Sequence, residues 1–280
     1  MKPLIYIVVR NFNSFNYLFT CIDSLQRIVY ENFKILVVDD GSYDDSTVKL
    51  LRIYPNIEVV KMNTHSEYCI SLNAGIKYGI INKANYIFVV NNDTRNFSKN
   101  LFSDIIDMFL NNPKLGMVGC LVNDFEGDQI FDGKIRVKLG IPVNTPTEGY
   151  MLNVNALNNV GLFDEKLVRY FEDLDLIQRL RVFGYETDSS VTSGFDHYCG
   201  GTSGKQKFVP NYYRIRNLWW FLKKYKKDEN IKNLIYWVYE YYEIHMVRLF
   251  KSLYLFRLID FSVIFYAIIK GTFDGIFKKY

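Results

Sequence analysis

No apolar run in this 280-residue chain approaches the ~20 residues of a membrane-crossing helix. The best stretch, Phe261 to Ile269, is short and is flanked by Asp260 and Lys270. Cysteine is scarce. Cys21, Cys69, Cys120 and Cys199 lie far apart with no CxxC pair, which argues against a zinc site or a disulfide framework. Cys21 and Cys69 fall on apolar stripes of expected helices, so packing is their simplest task. Internal repeats and low-complexity tracts are missing. The chain opens directly on a strand-like run, so no signal peptide is expected, and a reducing cytosol suits the cysteine usage. The hydrophobic share of 49% argues against disorder.

The apolar residues are arranged in alternating patterns. Leu4 to Val9, Ile35 to Val38, Ile57 to Val60, Tyr86 to Val90 and Met117 to Val122 read as buried strands. Helical spacing separates them: Leu18 to Val29, Asp44 to Ile53, Ser66 to Ile81, and Ser98 to Leu110 with Ser98 as a cap. This alternation predicts an α/β fold with a mostly parallel, doubly wound sheet. Asn123 to Glu148 carries turn signals without a period and reads as a loop-rich excursion. After Asn217 the chain turns dense in aromatic and basic residues and reads as helices. A boundary is placed at 217, dividing a catalytic domain (1–217) from a C-terminal helical region (218–280).

The net charge of +4 is mild but uneven. Gly204 to Lys227 holds many Lys and Arg and no acid. That stretch suits phosphates or anionic lipid; the plainer reading is a solvated basic face.

Three acidic clusters each close an apolar run: Asp39 and Asp40, Asp93, and Glu172, Asp173 and Asp175. Ligands of open α/β sheets bind outside the carboxyl ends of the strands. Asp39 and Asp40 there suit a base imide or a ribose hydroxyl, or else cap an ordinary turn. Asp93 in Asn91-Asn92-Asp93-Thr94 suits a hard divalent cation, which takes one or two carboxylates plus substrate phosphates, or else caps a turn. If Phe171 to Arg181 is a helix, Asp173 heads the stripe that includes Leu176, Ile177 and Leu180 and faces inward. A buried carboxylate needs a partner or a task. Asp175 shares a face with Arg179 and reads as an exposed pair. His197 suits a metal or a phosphate, or a structural hydrogen bond. Gly194, Gly200, Gly201 and Gly204 around it imply a mobile loop. Lys205, Lys207, Arg214 and Arg216 follow and suit a diphosphate clamp.

In order and spacing, these segments resemble glycosyltransferase family 2, inverting enzymes of GT-A fold. The carriers are Ile5-Tyr6-Ile7-Val8-Val9-Arg10-Asn11-Phe12-Asn13, Val37 to Ser42, Asn73-Ala74-Gly75-Ile76 and Asn91 to Thr94. The most specific are Gly161-Leu162-Phe163-Asp164-Glu165 with Glu172-Asp173-Leu174-Asp175-Leu176 and Arg179. His197, Tyr212 to Asn217 and Lys270 to Gly275 also fit. Asn91 in place of Asp is a form of rhamnosyltransferase-like bacterial members. Glu67, Arg10 and Asn155 depart from the pattern.

The resemblance implies a metal-dependent glycosyltransferase of hexosyltransferase type. It would move a sugar from a UDP- or dTDP-sugar to a hydroxyl of a glycan or lipid-linked oligosaccharide in bacterial cell-surface polysaccharide synthesis. Asp173, with Glu172 beside it, would be catalytic. Arg10, Asn11, Asn13, Asp39, Asp40 and Asn73 would line the nucleotide, and Asn91, Asn92, Arg214 and Arg216 the donor sugar and diphosphate. Asp93 and His197 would hold Mn2+ or Mg2+. The expected place is the cytoplasm, peripheral on the inner face of the membrane. A membrane surface or a second copy of the chain would meet residues 218–280, and no nucleic-acid partner is expected. The alternatives are a non-catalytic scaffold subunit and a sugar nucleotidyltransferase. The latter calls for a Gly-rich loop after the first strand, and Arg10 to Ser14 has no glycine.

Overall fold

A computed structural model describes residues 2–123, 129–131, 137–138, 141–142, 149–198, 208–225, 231–254 and 257–280. The first half alternates strand and helix: β1 (Ile5–Asn11), α1 (Phe15–Leu25), β2 (Phe33–Asp39), α2 (Ser46–Ile53), β3 (Glu58–Lys61), α3 (Tyr68–Ile81) and β4 (Tyr86–Asn91). The short β5 (Thr94–Arg95), α4 (Leu101–Asn111) and β6 (Leu115–Asn123) follow. Strand side chains divide between two cores by their period of two. Ile5, Ile7, Val9, Ile35, Val37, Phe88 and Val90 pack with α1 and α4. Tyr6, Val8, Leu36, Val38, Ile87 and Val89 pack on the other face with α3. With both faces covered, these strands read as unbroken apolar runs. Gly75 lets α3 lie close to the sheet, since a Cβ there would sit 2.6 Å from Val8 and 2.7 Å from Val38.

The excursion after β6 contributes β7 (Gln129–Phe131), β8 (Val137–Lys138) and β9 (Ile141–Pro142); the remainder of 124–148 lies outside the described residues. Then come β10 (Gly149–Asn153), α5 (Val154–Val160), α6 (Glu172–Val182) and β11 (Glu186–His197). Among the described residues the main sheet runs β3-β2-β1-β4-β10-β6-β11-β5, with β7 beside β6. Strands β1 to β4 are mutually parallel, and so are β6 and β11. Strand β10 is antiparallel to both its neighbours. The fold is thus mixed α/β with a mostly parallel sheet. Register places Asn11 opposite Asp39 and Arg10 opposite Asn91, so the polar residues that end β1, β2 and β4 share one sheet edge.

The C-terminal part is α7 (Phe208–Tyr225), α8 (Ile231–Tyr254) and α9 (Leu258–Phe277). Residue 217, the expected boundary, lies inside α7. That helix is part of the body: Leu218, Trp220, Phe221, Leu222 and Tyr225 form a core with Leu167, Phe171 and Leu174. Gly271 and Gly275 let α9 lie against α7, where a Cβ would come within 2.7 Å of the Tyr212 carbonyl oxygen or of Trp219. Among the described residues no helix is long and apolar enough to cross a membrane.

Candidate active site

The edge formed by β1 and β2 is a hydrogen-bonded polar floor. Asp39, buried, accepts from the Ser42 amide at 3.0 Å and the Thr47 hydroxyl at 2.8 Å. It ties the turn after β2 to the start of α2. Asp40 is fully buried and is bound by the Arg10 guanidinium, by Ser66 through amide and hydroxyl, and by His65 at 3.0 Å. Arg10 also donates to Ser71 at 2.8 Å and lies over the Tyr68 ring. Asn11 donates to Ser46 at 2.8 Å and accepts from Asn92 at 3.1 Å. Asn13, at φ 48°, accepts from the Tyr43 amide, and its own Nδ2 is buried without a partner. Phe12 stacks on His65 at 3.9 Å beside this edge. The Asn73 amide is taken up by the backbone of Phe163 at 2.9 and 3.1 Å and by Glu165. It therefore positions that loop.

At the end of β4, Asn91 accepts from the Tyr68 hydroxyl at 3.2 Å. Asp93 is buried, and its Oδ1 lies 3.2 Å from His197 Nε2. Antiparallel pairing of β5 with β11 opposes His197 to Thr94 and sets this pair. His197 was expected in a mobile loop; it ends a strand instead. Among the described residues no cluster of three or more His, Cys, Asp or Glu forms a metal site. Under Asp93, the Cys21 thiol contacts Thr94 at 3.4 Å, and burial pushes it up to about 12.

The acids that start α6 emerge from an unusual turn. Val168, Tyr170 and Phe171 have φ of 70°, 64° and 73°, a region that β-branched and bulky residues rarely enter. Asp173 is buried and its Oδ1 accepts from the Leu174 amide at 2.8 Å. Burial raises the Glu172 carboxyl to about 8; the neighbouring Asp173 charge adds to this, and Arg169 and Arg214 oppose it. Glu172 Oε2 is buried with no hydrogen-bond partner. Burial first, and the charges of both acids after it, raise the hydroxyls of half-buried Tyr68 and buried Tyr150. Tyr68 is hydrogen-bonded to Asn91 and lies under Arg10 at the strand edge.

Asp175 corrects its expectation. It is fully buried and binds Arg179 at 2.9 Å, Lys224 at 2.6 Å and the Tyr225 hydroxyl at 2.8 Å. Arg179 in turn donates to the carbonyls of Val160, Gly161 and Leu162. Arg216, expected in the phosphate clamp, is directed to backbone carbonyls. Only 7% exposed, it donates to the carbonyls of Leu167 at 2.9 Å and Lys166 at 3.2 Å and is a strut. Arg214 lies over the Tyr170 ring at 4.6 Å and remains beside Glu172. Lys205 and Lys207 fall outside the described residues. Tyr68, Tyr150 and Arg169 escaped the sequence reading. Tyr68 follows Glu67 at the head of an apolar helix and carries no chemical motif of its own.

Residues 6–165 match the family model described as Glycosyl transferase family 2. Among solved structures, the chain is similar to the mannosyltransferase PcManGT from Pyrobaculum calidifontis, in complex with GDP-Man and Mn2+. The TM-score is 0.64 at 11% identity, over 100% of this chain and 89% of that one. It is also similar to a TarS fragment from S. aureus in complex with UDP-GlcNAc: TM-score 0.59, 15% identity, 76% of this chain and 65% of that one. GalNAc-T7 with UDP, GalNAc and Mn2+ gives a TM-score of 0.61 at 12% identity, over 78% of this chain and 48% of that one. No curated protein sequence matches the chain. At such identities the likeness to these structures is one of fold.

Proposed function

The chain belongs to glycosyl transferase family 2, and from that premise we propose that it is an inverting, metal-dependent hexosyltransferase. It takes a nucleotide-linked sugar, UDP- or dTDP-linked, and a hydroxyl of a glycan or lipid-linked oligosaccharide. The observation that carries this reading is buried Asp173 beside Glu172 at a strained helix start, together with a strand edge where Tyr68 meets Arg10 and Asn91.

In this reading Asp173 is the base. The acceptor oxygen attacks the anomeric carbon opposite the bond to the nucleoside diphosphate. The new C–O bond forms as that bond breaks, the hydroxyl proton passes to Asp173, and the configuration inverts. Burial, and then the neighbouring Asp173 charge, keep Glu172 protonated near neutrality. Asp39, Asp40, Arg10, Asn11 and Asn13 shape the nucleotide side, Asn73 acts through the Phe163 loop, and Asn91, Asn92 and Arg214 face the donor sugar and diphosphate. Asp93 and His197 offer one oxygen and one nitrogen donor, 3.2 Å apart. This set fits Mn2+ or Mg2+ that takes its other ligands from phosphate and water. When bound, such an ion neutralises charge on the departing diphosphate.

The protein works at the membrane surface in bacterial cell-surface glycan synthesis, as a rhamnosyltransferase-like member. Support comes from the outer face of α9, where Ile259, Tyr266, Ile269, Phe273 and Phe277 are exposed at helical spacing. A screen of UDP-, dTDP- and GDP-sugars, read by nucleotide release, tests the activity. A scaffold subunit releases no nucleotide from any of them, and a nucleotidyltransferase releases pyrophosphate from a nucleoside triphosphate instead.

A further inference from the structure

The segment that delivers Glu172 and Asp173 is tied to α7 through Asn217 and Arg216, and to α3 through the Cys69 amide on the Val168 carbonyl. Asn217 is fully buried. Its Nδ2, with two hydrogens, lies within hydrogen-bond distance of three carbonyls of that segment: Leu167 at 2.8 Å, Arg169 at 2.9 Å and Tyr170 at 2.8 Å. Its Oδ1 accepts from Arg216 Nε at 2.9 Å, and Arg216 reaches the carbonyls of Leu167 and Lys166. Within the bracketed stretch, Val168 has φ 70° and ψ −63°, and the Arg169 amide donates to the Leu167 carbonyl at 2.8 Å. That is a γ-turn of the strained hand, centred on a β-branched residue. Tyr170 and Phe171 then stay left-handed, and Phe171 opens α6 with no side-chain cap. Nothing intrinsic to Val168, Tyr170 or Phe171 favours this path. Such a path persists only where its surroundings over-determine it.

We infer that Asn217 is a positioning residue: its carboxamide, braced by Arg216, clamps the strained 167–171 turn and thereby sets where the Glu172–Asp173 pair stands relative to the strand edge. The inference rests on the reading of these acids as the reacting groups. The hydrogen bonds of Asn217 end on the turn and on Arg216, so its effect falls on turnover and spares the donor.

The test compares Asn217→Ala, Val168→Gly, their double variant and Asp173→Asn, each by steady-state kinetics and by nucleotide titration. Asn217→Ala is expected to lower kcat about 10- to 100-fold, the scale of an ångström-sized misplacement, with donor affinity unchanged within about twofold. Glycine enters the γ-turn conformation without a side-chain penalty. The double variant is therefore expected to recover most of that loss, to within about threefold of Val168→Gly alone. If Asn217→Ala does not fold, the double variant still decides, because the inference requires it to be folded and active. Native kcat in Asn217→Ala overturns the inference. So does equal loss of kcat and donor affinity, or a double variant no better than Asn217→Ala. Native turnover in Asp173→Asn instead overturns the assignment of the acids, a separable outcome.

Discussion

Glu172 carries a proton that the unfolded chain gives up. Its carboxyl rises to about 8 through burial first and the Asp173 charge second. The folded state therefore binds more protons than the unfolded state between about pH 4.5 and pH 8, and stability falls as pH rises through that window. Glu172→Gln keeps the shape and removes the titration. Its melting temperature is expected to gain on the wild type from about pH 5 to about pH 8 and to level off above that. Thermal melts across that range check this, and a constant difference contradicts it. Asp93 gives a second expectation at this scale. Asp93→Ala removes the oxygen donor facing His197, so the protein should bind donor more weakly and respond less to added Mn2+. Titrations with and without a chelator measure both effects; metal-independent affinity equal to the wild type contradicts the metal reading.

At the scale of elements, α6 is fixed by a buried charge network that joins it to α7. Asp175 balances Arg179 and Lys224 at once. Asp175→Ala leaves those cations facing a largely dry site, and the expected loss is about 3 kcal/mol by chemical denaturation. A loss below about 1 kcal/mol places the network in the exposed class. The sequence had suggested the Asp175–Arg179 pair from its four-residue spacing, yet local spacing carries no information about Lys224 and Tyr225. The same limit explains other departures. Strands β1 to β4 were legible because both faces are apolar. β11 was not: Glu186 to His197 is mostly polar and is a strand because it pairs along β6. Ser98, expected as a helix cap, exchanges hydrogen bonds with Gly194 of that strand. Asp173 was legible as an inward acid, since its neighbours three, four and seven positions on are buried. The turn that aims it was invisible, because no glycine or asparagine marks Val168 to Phe171.

For the whole molecule, the C-terminal aromatics fall into two groups, buried and exposed, that composition merges. Trp220, Phe221 and Tyr225 are buried against the catalytic body, whereas α9 shows it only its inner face, including Ile264, Ala267 and Ile268. The outer stripe has exposed Arg257 before it and Lys278 and Lys279 after it, a pattern suited to an anionic lipid surface. The protein is expected to float with anionic liposomes at low salt, and Ile269→Asp with Phe273→Asp to abolish flotation without loss of folding. Retention in the soluble fraction at low salt contradicts membrane docking and leaves a protein partner for the stripe.

Chemistry at Asp173 is read from nucleotide release by wild type and Asp173→Asn with the same preferred donor. The expected rate loss is about 10²- to 10⁴-fold, with nucleotide binding intact by thermal shift. Turnover of Asp173→Asn near the wild-type rate would contradict it.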